Sequence, residues 1–128
     1  MRRDSRITAL GMIFERYFNE NPFDEEIISE QKEKDKAFTS EIIEEYNAHK
    51  EEIESEIEKV LIGYEKDRVY KIDFAILSLA LIEIKFCKTP TAIAINEAVE
   101  IAKAYSTEKS AKFINGILST LVNGEKKC

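Results

Sequence analysis

The sequence predicts an all-α fold, two small three-helix bundles sharing one core, with an N-terminal part at about 1–63 and a C-terminal part at about 64–124. Three observations predict it. The 128 residues include only four glycines and two prolines, too few for the turns of an all-β chain. Apolar residues recur at three- and four-residue spacing in successive segments. Those segments fall in two groups on either side of Gly63, with no repeat and no long linker between them.

Taken in order, Asp4 or Ser5 is placed to cap a first helix reaching about Asn19. Its buried stripe is read as Ile7, Leu10, Phe14 and Tyr17 or Phe18, and Asn21-Pro22 ends it. Residues 24–34 are charged, with Ile27 and Ile28 as the only apolar anchors, and read as a solvated loop. A second helix is expected from about Asp35 to Asn47, with Phe38, Ile42, Ile43 and Tyr46 inward. A third is expected from about Lys50 to Ile62, with Ile53, Ile57, Val60 and Leu61 on one face, stopped by Gly63. After the polar connector 64–71 comes Lys71–Phe86, apolar on nearly every side. IEIKF alternates like a strand, but sixteen residues without a breaker favour a buried central helix. Its carboxylates, Asp73 and Glu83, are costly to bury alone and call for a surface, a cap or a partner. Pro90 with Thr89 or Thr91 opens a fifth helix, about Thr91–Tyr105, with Ile95, Ala98, Ala102 and Tyr105 on one side. Ser106 or Thr107 caps a sixth, about Glu108–Leu121, whose core face is Ile114, Ile117, Leu118 and Leu121. Asn123-Gly124 is expected to stop it.

The net charge of −6 disfavours nucleic acid until the chain is divided. Residues 1–23 carry +1, residues 24–66 carry −9 and residues 67–128 carry +2. The acidity sits in the middle, and a local basic patch binds phosphate whatever the total. Arg2, Arg3 and Arg6 stand at the N-terminus as a basic arm and first turn. They read either as a phosphate contact or as solubilising fray. Cys87 and Cys128 form no framework or metal set and are expected to be reduced thiols. No apolar run is long enough to span a membrane, and no apolar signal core follows the N-terminus, so a cytoplasmic location is expected.

Catalytic constellations are thin. The single histidine, His49, has no nucleophile-elbow serine to serve. Glu45 and His49 are four apart, but a di-iron bundle needs paired Glu-x-x-His motifs, so a solvated or capping histidine is expected. There is no Gly-rich phosphate loop and no C-x-x-C pair. No enzyme, cofactor or metal is expected. Binding chemistry is better represented, because single-stranded RNA is held by cations on phosphates and aromatics under splayed bases. Lys109, Lys112 and Phe113 lie together on the sixth helix. Phe113 adjoins Ile114 at the edge of the core face, so base stacking and ordinary core packing both remain open; Phe14 has the same ambiguity.

Three runs then resemble a known family. They are ID-x-x-IL-x-LA-x-x-E (Ile72–Glu83), P-x-x-x-x-INEAVE-IAK (Pro90–Lys103) and S-x-KF-INGIL (Ser110–Leu118). With R-x-x-x-R-x-x-AL (Arg2–Leu10) and DR-x-x-x-ID (Asp67–Asp73), they are similar to the NusB family across nearly the whole chain. The resemblance implies an all-α fold of two three-helix subdomains. It implies a transcription antitermination factor of ribosomal RNA operons. Such a factor pairs with NusE, a small-subunit ribosomal protein, binds the boxA element of nascent RNA, and helps assemble a complex on RNA polymerase. Carried onto matching positions, it implies an RNA side of Arg2, Arg3, Arg6, Phe14, Tyr105, Lys109, Ser110, Lys112 and Phe113. It implies a NusE side at Asp73, with Tyr64 and Arg68 nearby. Ser78 stands where the family often has arginine. A NusB-like domain also begins some ribosomal RNA cytosine methyltransferases, but no methyl-donor fold is expected here. The alternative is a protein-binding helical adaptor whose RNA contact is incidental.

Overall fold

A stretch that is apolar on nearly every side has to be surrounded, and Lys71–Phe86 is. The computed structural model describes the backbone of residues 2–16, 33–61 and 71–126, and the side chains of 2–16, 36–61 and 71–123. The described residues form five helices and no strand: α1 (Arg2–Arg16), α2 (Glu33–Val60), α3 (Lys71–Phe86), α4 (Thr91–Tyr105) and α5 (Glu108–Lys126). Ten residues of α3 are buried, and α3 packs against each of the other four helices. The expected central helix is therefore observed with its expected bounds. Around it, Ile42, Tyr46, Ile53 and Ile57 of α2, Ile101 and Ala102 of α4, and Ile114 and Leu118 of α5 are closed off from solvent.

Several boundaries differ from expectation. The second and third helices are one, α2, running unbroken through Asn47–Lys50. Phe38, Ile42, Tyr46, Ile53, Ile57 and Leu61 keep one buried stripe in phase across the expected break. No glycine or proline interrupts it, and propensity alone does not end a helix whose apolar face continues. His49 is therefore mid-helix, not capping. Its ring stacks on Phe86 of α3 at 3.8 Å between centroids and 6° between planes. It also lies 3.3 Å from both Glu45 and Glu52.

The first helix starts at Arg2, so Asp4 and Ser5 lie inside it and neither caps it. Its core residues are Ala9, Leu10, Met12 and Ile13. Ile7 and Phe14, both expected on the buried stripe, are only partly buried. The expected end of this helix, the loop at 24–34 and the connector 64–71 fall outside the described residues or at their margins. On α4 the buried set is Ala94, Ala98, Ile101 and Ala102, and Tyr105 faces solvent. The core face of α5 is as expected, but Asn123-Gly124 does not end the helix, which continues to Lys126. Gly116 in its middle is exposed, and a Cβ there would meet nothing within 4 Å. No internal packing calls for a glycine there, although it costs about 1 kcal/mol against alanine.

The α3–α4 turn is closed by backbone. Thr89 N–H donates to the Glu83 carbonyl six residues back at 3.1 Å, and Cys87 N–H donates to the same carbonyl at 3.2 Å. Lys88 occupies the left-handed position with φ 58°, where glycine is the unstrained choice. Thr89 does not cap α4; Pro90 holds that place, without a side-chain cap. Lys88→Gly should therefore stabilise the protein by about 1 kcal/mol, measured as a higher denaturation midpoint at unchanged m-value. A lower midpoint would mean that the lysine side chain contributes more than its backbone strain removes.

Candidate nucleic-acid interface

Arginines in the first turn of a helix oppose its dipole and need anionic partners. The basic arm expected at the N-terminus is instead the first turns of α1, and it has such partners. Arg6 is buried. Its Nε donates to both Glu83 oxygens at 2.8 and 2.9 Å, and its Nη2 lies 2.8 Å from Oε1. Its Nη1 reaches Glu97 of α4 at 3.2 Å. Arg3, half exposed, donates to the other Glu97 oxygen at 2.5 Å. Arg2 extends its guanidinium over the Phe38 ring of α2, 4.4 Å from the centroid, and Arg6 lies 5.3 Å from the same centroid. Thr89 Oγ1 donates to Glu83 at 3.1 Å, so that carboxylate has both a cation and a hydroxyl. The expectation that Arg6 presents its charge to solvent is corrected: it joins α1 to α3 and α4. Arg2 and Arg3 remain at the surface.

Asp73 is also buried, which corrects its expected place on a partner surface. In the first turn of α3 it accepts Ser106 Oγ at 2.8 Å and Ser110 Oγ at 2.7 Å. Ser106 Oγ also contacts Ser110 Oγ at 2.9 Å. Thr107 is the N-cap of α5, accepting the Ser110 backbone N–H at 2.9 Å as expected for a hydroxyl at that position. Ser110, expected at the RNA side, is thus buried in this junction. Asp73 satisfies its carboxylate by fixing the α4–α5 turn. Ser78 is fully buried and donates to the Phe74 carbonyl at 2.9 Å.

The turn so fixed presents the rest of the predicted set. Tyr105 is exposed, one of two large apolar side chains so placed among the described residues. Lys109 and Lys112 are exposed on α5. Phe113 is partly buried against the core, at the edge expected of it. These four share the α4–α5 corner. Tyr64 and Arg68 lie outside the described residues. By contrast, the outer face of α2 presents Glu41, Glu44, Glu51 and Glu58, which repels phosphate.

Sequence reasoning missed Glu97 and Thr89 as partners of the arginines and Ser106 as a partner of Asp73. Their only signal was the unexplained presence of two carboxylates on an apolar helix. The Cys87 thiol is pushed up to about 12 by burial and by the Glu41 carboxylate it bonds, so it carries no thiolate at neutral pH. The described residues contain no group of three or more His, Cys, Asp or Glu able to hold a metal. No described helix is long and apolar enough to cross a membrane.

Residues 3–123 match the NusB family. The chain belongs to the NusB family. The transcription antitermination protein NusB of Listeria monocytogenes serotype 4b is 36% identical over 126 residues, covering 98% of each chain. T. maritima NusB superposes with a TM-score of 0.85 at 31% identity, covering 96% of this chain and 91% of its own. A chain in the crystal structure of antitermination factors NusB and NusE in complex with dsRNA also superposes with a TM-score of 0.85. It is 26% identical and covers 96% of both chains. The all-α NusB fold anticipated from helical spacing and motif is thus the observed fold.

Arg6→Ala should destabilise the protein by about 3–5 kcal/mol, because it strands the buried Glu83 carboxylate; Arg6→Ala with Glu83→Gln should recover part of that. Chemical denaturation measures both, and an Arg6→Ala loss under about 1 kcal/mol would contradict the buried pair. Asp73→Ala should lower stability by about 1–3 kcal/mol. Amide exchange should quicken most at residues 106–110, where the hydroxyls lose their acceptor.

Proposed function

We propose that this protein is a transcription antitermination factor. It binds boxA-type single-stranded RNA together with NusE and helps assemble an antitermination complex on RNA polymerase in ribosomal RNA operons. The observation that carries this reading is its nearly full-length likeness to the NusB family and to a chain of the NusB–NusE complex with dsRNA. In this reading the chain acts in the cytoplasm, has no catalytic step and uses no cofactor.

The RNA side is proposed to be the α4–α5 corner with Tyr105, Lys109, Lys112 and Phe113. Arg2, Arg3 and Phe14 of α1 are proposed to extend it. Exposed lysines draw in phosphates, and a half-buried phenylalanine presents the solvent-facing part of its ring to a base. Arg6 and Ser110 act at one remove in this reading: Arg6 seats α1, and Ser110 seats the α5 turn through Asp73. Tyr64 and Arg68 are proposed for the NusE side, with Asp73 supporting from beneath. The parts at about 1–63 and 64–124 are proposed as the two halves of the fold. The acidic outer face of α2 favours a basic protein over RNA, so the adaptor reading in which RNA contact is incidental is carried into the test.

Fluorescence anisotropy with labelled boxA RNA, with and without NusE, should give binding above a scrambled RNA, tighter when NusE is present. Lys109→Ala with Lys112→Ala should flatten the slope of log K against log salt by about 1.4, as for two single-strand phosphate contacts. Equal binding of boxA and scrambled RNA under every condition, with NusE association intact, would favour the adaptor.

A further inference from the structure

The protein's own packing does not explain a glycine at position 116, on the outer face of α5. It lies mid-helix, exposed, with open space where a Cβ would stand. Its helical backbone suits any L-residue, and alanine there would favour the helix. Lys109, Lys112, Phe113, Gly116 and Thr120 fall on one face by three- and four-residue spacing. Helical side chains lean toward the N-terminus, so a side chain at 116 would cover the turn holding Lys112 and Phe113. With glycine that surface is bare. One turn on, Thr120 folds its hydroxyl back to donate to the Gly116 carbonyl at 3.0 Å, which keeps the relief low there too.

We propose that Gly116 is an RNA-contact position, where the absent side chain lets a ribose-phosphate backbone lie directly against α5 between the lysines and Thr120. This rests on the RNA-binding role proposed above. The occupant is argued from charge and shape. Lys109 and Lys112 supply cations and Phe113 an aromatic edge on the same face, and Glu108 stands in the first turn outside it. A flat helix surface flanked by cations admits a phosphodiester chain at closer range than a side-chain-covered one. The contact is steric, not ionic, so its loss should differ in kind from loss of a lysine.

The test uses the full chain with Gly116→Ala and Gly116→Gln, both helix-favouring and neutral. Both should raise Tm, by about 3–5 °C for alanine. Binding of labelled boxA RNA in the presence of NusE should weaken about 3-fold for Ala and more than 10-fold for Gln. The salt slope should match that of the unsubstituted protein, whereas Lys112→Ala should reduce it. Undiminished RNA binding by both variants would overturn the proposal. So would a lower Tm, which would give the glycine an internal role. Loss of NusE association in step with RNA binding would make the face a protein contact and overturn it as well. If the unsubstituted protein binds no RNA, the function proposed above fails first, and this assignment falls with it.

Discussion

Glu83 stands near the end of a helix that is otherwise almost wholly apolar, and it is buried. A carboxylate there is tolerable only with a cation and full hydrogen bonding. Arg6 supplies the cation from 77 residues away in sequence, gripping both oxygens. Thr89 supplies the hydroxyl, and its backbone N–H closes the end of the same helix on the Glu83 carbonyl. The first helix, the central helix and the start of α4 thus meet at one group. Replacing such a pair with apolar residues is often no less stable, so the pair is better understood as setting register: α1 docks only where Arg6 reaches Glu83.

The other end of the central helix repeats the logic with neutral partners. Asp73 takes hydroxyls from Ser106 and Ser110 and so holds the corner between α4 and α5. The two buried carboxylates of α3 lie about 15 Å apart along its axis, at 1.5 Å per residue. One positions the arginine-bearing helix, the other the lysine- and aromatic-bearing corner. A rigid apolar rod with a polar anchor at each end sets the distance between the two parts of the candidate RNA side. Lys85 with Glu56, at 2.6 Å, and His49 stacked on Phe86 fix the rod against α2 on its remaining flank.

This division of labour sorts the cations. Arg6 is bound internally, while Lys109 and Lys112 stay exposed and Arg3, beside Glu97, stays half exposed. A basic residue near a predicted binding surface is thus not by itself a binding residue. What distinguishes them is whether a carboxylate from another helix arrives first. The acidity of the chain lies largely on α2, away from the α4–α5 corner in sequence, so a net negative molecule still offers phosphate a positive edge.

Periodicity is local, and what depended on it was legible. The bounds of the central helix and of α4, the core face of α5, the Thr107 cap and the edge position of Phe113 follow from spacing and capping chemistry within a few turns. Motif runs carried the family. The continuity of α2 was legible too, in the unbroken phase of Phe38 to Leu61, had phase outweighed the polar Asn47–Lys50 segment. What the one-dimensional chain left open is which charges meet. Arg6 looks like Arg2 and Arg3 in sequence, and Asp73 looks like an exposed first-turn carboxylate. Only the tertiary fold decides that Arg6 and Asp73 are interior and that Tyr105 and Gly116 are exterior. The choice is made by long-range packing, where burial makes an unpaired charge intolerable and so selects its partner.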